Sequence, residues 1–288
     1  MPEQRILEQS VRLPPEGAAT GWASCRLNGG TFFDGLLPDG HTLIPVPLAT
    51  GPTARIRGDE AVSVLRDRLD PGEVVLRHGI ACARARRGLF DAMRTAPGVR
   101  EAVVAMDMMA AADAVSIKQM REYLATRPRW NGAPQVAAAL DLASERSKSP
   151  NETRMRLIWE LDAGFPRPLV NQSVFDLNGR LLGIADLFDP VAGVVGEFDG
   201  ADHRRAGRHS KDVGREDGFR RRGLEFFKVT GPDIDVLPRV VSRMRSSRSR
   251  AKWLPEGERR WTTVAPPGRG RDESLDDLLE RRAWMAAP

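Results

Sequence analysis

Between Leu169 and Asp199 the chain alternates short apolar runs with turn signals, a rhythm that leaves room for little but an antiparallel meander. LVNQSVFD reads as a strand, Asn178-Gly179 is the strongest hairpin signal in the chain, and RLLGIADLF returns. DPVAG then turns again, and VVGEFDG makes a third strand. Helix signals flank this meander. Ser149-Pro150-Asn151-Glu152 places Ser at the N-cap, Pro at the first helical position and Glu where it closes a capping box. Met155, Ile158, Trp159 and Leu161 recur on one side, and Gly164 can take the left-handed position that stops a helix. Beyond the meander, RHSKDVGREDGFRRRG predicts a helix ended by Gly223, LEFFKV a strand, and a last helix runs from about Pro232 to about Lys252. The order helix, three strands, helix, strand, helix predicts an α+β module.

At 288 residues the chain has room for a second domain. TLIPVPL (42–48) and EVVLRHGIACA (73–83) read as strands, ARRGLFDAMRTA (85–96) as a helix, and residues 101–146 as helical throughout, with Ser116 as an N-cap. Met106, Met108, Met109 and Met120 are expected to be core filler. The expected division is an N-terminal α+β domain over 1–146, a second domain over 147–253, and a linker with a short amphipathic helix over 254–288.

No window approaches eighteen consecutive apolar residues, and the first thirty lack the basic-then-apolar pattern of a signal peptide. A membrane-free, cytoplasmic protein is therefore expected. Cys25 and Cys82 lie far apart, and four histidines cannot complete a zinc site with them, which fits a reducing compartment.

The polar end of the third strand carries the chemistry. If the second hairpin turns through 190–193, Asp186 lies opposite Glu197, and Glu197 and Asp199 share a face two residues apart. Three unpaired carboxylates would repel one another, and a hard divalent cation such as Mg²⁺ or Mn²⁺ would relieve them. Spacing alone leaves a solvated polar turn as the other reading. Glu152 likewise has two: a capping carboxylate satisfied locally, or a metal contact. Arg156, one turn on, can pair with Glu152 or with Glu160.

Taken in order, these residues resemble a known pattern. Ser149, Glu152 and Arg156 fit S-x-x-E-x-x-x-R; Asp186 follows on the second strand; Glu197-Phe198-Asp199-Gly200 with His203 fits E-x-D-G-x-x-H. Asp212 and Arg215 open the next helix, and Gly223 precedes LEFFKV. Over roughly 149–230 the chain resembles the PD-(D/E)XK restriction-endonuclease-like superfamily, and within it an uncharacterised family related to very-short-patch repair endonucleases. The resemblance implies a mixed sheet flanked by helices and a DNA endonuclease in which Asp186 and Glu197 hold Mg²⁺ or Mn²⁺. A metal-bound water would attack the phosphodiester. The superfamily pattern has Lys where Asp199 stands, so Asp199 is expected to be a third ligand or to orient the water. His203 would act as general base or stabilise the leaving group. Lys211 or Arg215 would restore a positive charge, with Asp212 and Glu152 accessory.

From His203 to Arg250 there are fourteen Lys and Arg against six Asp and Glu, a net charge of +8 in a chain whose total is +5. Arg204, Arg205, Arg208, Arg220, Arg221 and Arg222 follow the acidic cluster closely and are expected to contact DNA phosphates. A solvated helix face is the plainer reading of such a run. The N-terminal half more loosely resembles the region joined to this module in actinobacterial proteins grouped with AbiEi-type antitoxins of type IV toxin–antitoxin systems. That implies an alternative function: a non-catalytic DNA-binding regulator, antitoxin-like, retaining the nuclease fold as scaffold.

Overall fold

A computed structural model describes residues 1–200, 206–267 and 273–285, with backbone only over 206–213. The protein is mixed α+β, with two mixed sheets and flanking helices. It divides into two compact units, Met1–Glu145 with Ser274–Pro288, and Arg146–Glu273. No helix among the described residues is long and apolar enough to cross a membrane.

In the first unit α1 (Pro2–Ser10), β1 (Ala18–Ala19) and α2 (Gly21–Leu27) precede β2 (Val46–Ala49) and β3 (Val62–Leu65). A hairpin of β4 (Val74–Arg77) and β5 (Ile80–Ala83) turns through His78 and Gly79, both left-handed. The helices α3 (Ala85–Thr95), α4 (Val99–Ala111), α5 (Ile117–Ala125) and α6 (Ala133–Leu142) follow. The sheet runs β3-β2-β1-β5-β4, with β2–β3 and β1–β5 parallel and β1–β2 and β4–β5 antiparallel. Ser116 caps α5 by accepting the Gln119 amide, and the four methionines are buried. Cys25 and Cys82 are free and buried. Burial pushes the Cys82 thiol up to about 11, so it stays protonated at neutral pH. A charged knot is also buried here. Arg87 pairs with Asp91 at 2.9 Å and Glu73 at 3.1 Å, its guanidinium carbon 4.6 Å from the Trp130 ring centre. Arg94, Arg127 and Tyr123 complete it through Asp91 and Glu73.

The second unit begins with α7 (Pro150–Leu157), which relaxes into a π-helical turn, Ile158–Asp162, and stops at left-handed Gly164. Then come β6 (Leu169–Phe175), β7 (Leu181–Asp189), β8 (Val194–Asp199), α8 (Ala206–Arg221), β9 (Glu225–Thr230), α9 (Gly231–Ile234) and α10 (Leu237–Arg250). The sheet order is β6-β7-β8-β9, antiparallel until the last pair, where α8 crosses over and β9 joins β8 in parallel. Both hairpins turn where the residues demand. Asp176 accepts the Asn178 and Arg180 amides around left-handed Gly179, and Asp189 accepts those of Val191 and Ala192 before left-handed Gly193. The helix expected over 232–252 is instead two, because Thr230 and Asp233 box-cap α9 and the chain restarts at Leu237.

Apolar side chains cover both sheet faces. One face packs Leu187, Val194, Phe227 and Val229 against Met155 and Trp159 of the α7 segment and Val240 and Met244 of α10. Trp159 is fully buried, its ring parallel to Phe227 at 6.0 Å and its indole N–H given to the Pro166 carbonyl. The other face packs Phe188, Val195 and Phe226 against Phe219 of α8. Trp261, beyond α10, is buried edge-on against Phe188 at 5.1 Å, and Thr262 exchanges both backbone hydrogen bonds with Phe175 at the sheet edge. The residues just past 253 thus belong to this unit's core. Finally α11 (Leu275–Met285) returns to the first unit, where Asp276 accepts from Ser116 and Glu280 pairs with Lys118.

Candidate functional site

The carboxylates gather where β7 and β8 part. Leu187 pairs with Gly196, so the next rung would set Asp186 beside Glu197. The regular ladder ends there, and Asp186 Oδ2 instead accepts the Phe198 amide at 2.8 Å. On its other side Asp186 faces a second interruption. Val170 pairs with Leu187 and Gln172 with Ala185, but Asn171 is left-handed (φ 46°) and does not pair with Asp186. Side-chain alternation also breaks here: Ala185 packs on the α8 face, Leu187 on the α7 face. Asp186 therefore stands at a gap between two ladders.

Burial raises the Asp186 carboxyl to about 6, and the negative charge of Glu152 adds to the rise. The Phe198 amide and the charges of Arg215 and Lys148 pull the other way. Glu152 is held by its own helix start. Ser149 Oγ accepts the Glu152 amide at 3.2 Å and donates its hydroxyl to Oε1 at 3.0 Å, while Oε2 accepts the Lys148 amide at 2.9 Å. The back-reaching carboxylate thus takes the amide one residue before the cap. Asn171 Nδ2 gives Oε2 a further hydrogen bond at 2.7 Å. Arg156, fully buried, pairs with Glu160 at 2.9 Å.

Glu197 is 5% exposed, and the Arg215 guanidinium donates to its Oε2 at 2.6 Å. Glycine makes this approach possible: a Cβ on Gly183 would lie 2.9 Å from the Arg215 Cδ and 2.7 Å from the Phe219 ring. Beside Glu197, a Cβ on Gly196 would meet the Phe227 ring at 2.4 Å. Asp199 lies at the half-exposed end of β8, where Lys228 Nζ comes within 3.9 Å. Parallel pairing puts Lys228 directly across from Glu197. Among the described residues, no three His, Cys, Asp or Glu side chains stand close enough together to hold one metal ion. Asp186 and Glu197 each stand one position past the last β7–β8 pair, with Glu152 bearing on Asp186 and Asp199 within reach of Lys228.

His203, Arg204 and Arg205 lie outside the described residues, as do the side chains of Arg208, Lys211 and Asp212. The remaining arginines have acidic partners. Arg220 pairs with Glu216 at 3.0 Å and Arg221 with Asp217 at 3.2 Å, each one turn along α8. Arg222 pairs with Asp176 at 3.1 Å and ties the end of α8 to the first hairpin turn. Sequence reasoning missed Lys228 and Asn171. Lys228 sits in a strand signal, but nothing local sets the register of a parallel pair; for Asn171 the one signal is its residue type, since asparagine is depleted in strands and tolerates the left-handed backbone.

No family model matches the chain, and neither a curated protein nor a solved structure does.

Proposed function

We propose that the second unit is a metal-dependent DNA endonuclease that hydrolyses phosphodiester bonds. The observation that carries this reading is Asp186, a carboxylate set in a gap of the sheet one position past the last β7–β8 pair, as Glu197 is on the facing strand, and so disposed that it keeps its proton to about pH 6. Burial and Glu152 together oppose its charge, and a hard cation answers both. The donors are oxygens, which suits Mg²⁺ or Mn²⁺ held by Asp186 and Glu197 with water filling the remaining positions. Bound there, the cation would supply a water of lowered pKa and stabilise charge on the phosphate. Lys228 offers a positive charge close to position 199, where the resembled pattern has its lysine, and its half-exposed amine can turn to a phosphate oxygen. Asp199 orients water, and His203 keeps the acid–base role that the resemblance implies.

The test is cleavage of duplex, single-stranded, mismatched and branched DNA with Mg²⁺ or Mn²⁺ by the wild type, Asp186→Ala and Glu197→Ala. The reading expects metal-dependent cleavage lost in both variants. Equal cleavage by all three proteins, or none on any substrate, refutes it.

One observation favours a second reading. The Arg215–Glu197 ion pair at 2.6 Å gives Glu197 Oε2 a cationic partner without any metal ion, as a retained scaffold would. A non-catalytic DNA-binding regulator, antitoxin-like, would bind DNA without metal and lose affinity steeply with salt. Metal-independent binding with no cleavage would select it.

A further inference from the structure

Asn171 is the one non-glycine residue inside a described strand whose backbone is left-handed. Such a conformation is costly for an L-residue and persists only where its surroundings hold it; asparagine is among the residues that tolerate it best. The break falls directly opposite Asp186 and adds no residue to either strand, since the pairing resumes in register on both sides. Its consequence is the direction of the side chain. Asn171 Nδ2 reaches the start of α7, donating to Glu152 Oε2 at 2.7 Å and to the Arg146 carbonyl at 2.8 Å.

Glu152 thereby has three donors besides its own helix: the Lys148 amide, the Ser149 hydroxyl and the Asn171 amide. Most of its lone pairs are occupied. It is poorly placed to ligate an ion directly, yet its carboxylate is held near enough to bear on Asp186. Without Asn171 no described residue of the sheet would hold that carboxylate, and only the Lys148 amide and the Ser149 hydroxyl at the helix start would remain on it.

We infer that Asn171 is a positioning residue for the carboxylate site: its amide pins Glu152 behind Asp186, and the pinned charge strengthens the site's hold on a divalent cation. The inference rests on the metal-dependent reading above. Residues that orient ligands from behind typically change metal affinity by about 10–100-fold.

The experiment is a Mn²⁺ titration, read by electron paramagnetic resonance, of the wild type, Asp186→Ala, Asn171→Gly, Glu152→Gln and the Asn171→Gly/Glu152→Gln double variant, each with its melting temperature. Glycine takes the left-handed backbone freely, so Asn171→Gly deletes the amide and keeps the strand break. The expected result is Mn²⁺ affinity weakened about 10-fold in Asn171→Gly and in Glu152→Gln, with the double variant no weaker than either single one. Wild-type affinity in Asn171→Gly overturns the inference and leaves the metal reading standing. No Mn²⁺ binding by the wild type, or equal binding by Asp186→Ala, overturns both. Should Asn171→Gly fail to fold, Glu152→Gln decides alone: unchanged affinity there refutes the role given to the pinned charge.

Discussion

Replacing Asp186 by asparagine should stabilise the protein, and only above a certain pH. An aspartate in the unfolded chain titrates near 3.8, whereas burial and Glu152 raise it to about 6 in the fold. Between those values the folded state holds a proton that the unfolded state has released. Stability therefore falls as pH rises from about 4 to about 6, and is level beyond. A shift of this size corresponds to about 3 kcal/mol. Asp186 is only part-buried, so solvent screening reduces the expected penalty to about 1–2 kcal/mol. The asparagine side chain of the variant would carry no charge, keep an oxygen for the Phe198 amide, and escape the penalty. The assay is chemical unfolding of the wild type and Asp186→Asn at half-unit steps from pH 4 to 8. Both proteins carry the same first unit, so their difference isolates the one carboxyl. The variant should match the wild type near pH 4 and exceed it by about 1–2 kcal/mol at pH 7.5. Added Mn²⁺ should close that gap by stabilising the wild type alone. A difference that does not change with pH, or a variant less stable at pH 7.5, would refute the account of Asp186.

Three other perturbations test the surroundings. Gly196→Ala drives a methyl to 2.4 Å from the Phe227 ring, which is itself stacked on Trp159, and should cost about 1–3 kcal/mol in thermal unfolding. Ser149→Ala removes the hydroxyl that both caps α7 and donates to Glu152, and should cost about 1 kcal/mol by urea titration. In the first unit, Arg87→Met removes the cation that Asp91 and Glu73 share, while Arg94 and Arg127 remain on them; a loss below the ~3–5 kcal/mol of an uncompensated buried charge is expected, and a melting temperature within a degree of the wild type would contradict the ion-pair network.

What the chain discloses in advance follows from how local each signal is. Gly164, Gly179, Gly193 and Gly223 mark turns and helix ends through a backbone conformation that few other residues adopt, and all four are left-handed where the pattern asks for it. The Ser149 cap is equally local. The register that sets Leu187 against Gly196, one rung short of Asp186 and Glu197, follows from counting back along a hairpin of known turn. Non-local facts escape this reasoning. The two-residue β1 has no periodicity to detect, yet its pairing on both sides joins the first sheet. Arg215 was expected to restore positive charge, but only the close approach allowed by Gly183 shows it spent on Glu197. The arginines at 220–222 count as a basic patch in sequence, whereas in space each sits with an acid.

The parallel pairing of β9 has a consequence for how this site is assembled. Asp186 and Glu197 lie on the two strands of a single hairpin, β7–β8, a contact between near neighbours in the chain that closes rapidly. Lys228 must wait for the whole of α8 to form and cross the sheet before β9 can dock against β8. A nascent or partly unfolded chain would thus hold its acids without their lysine, and the second unit would acquire its balanced charge only in its last folding step.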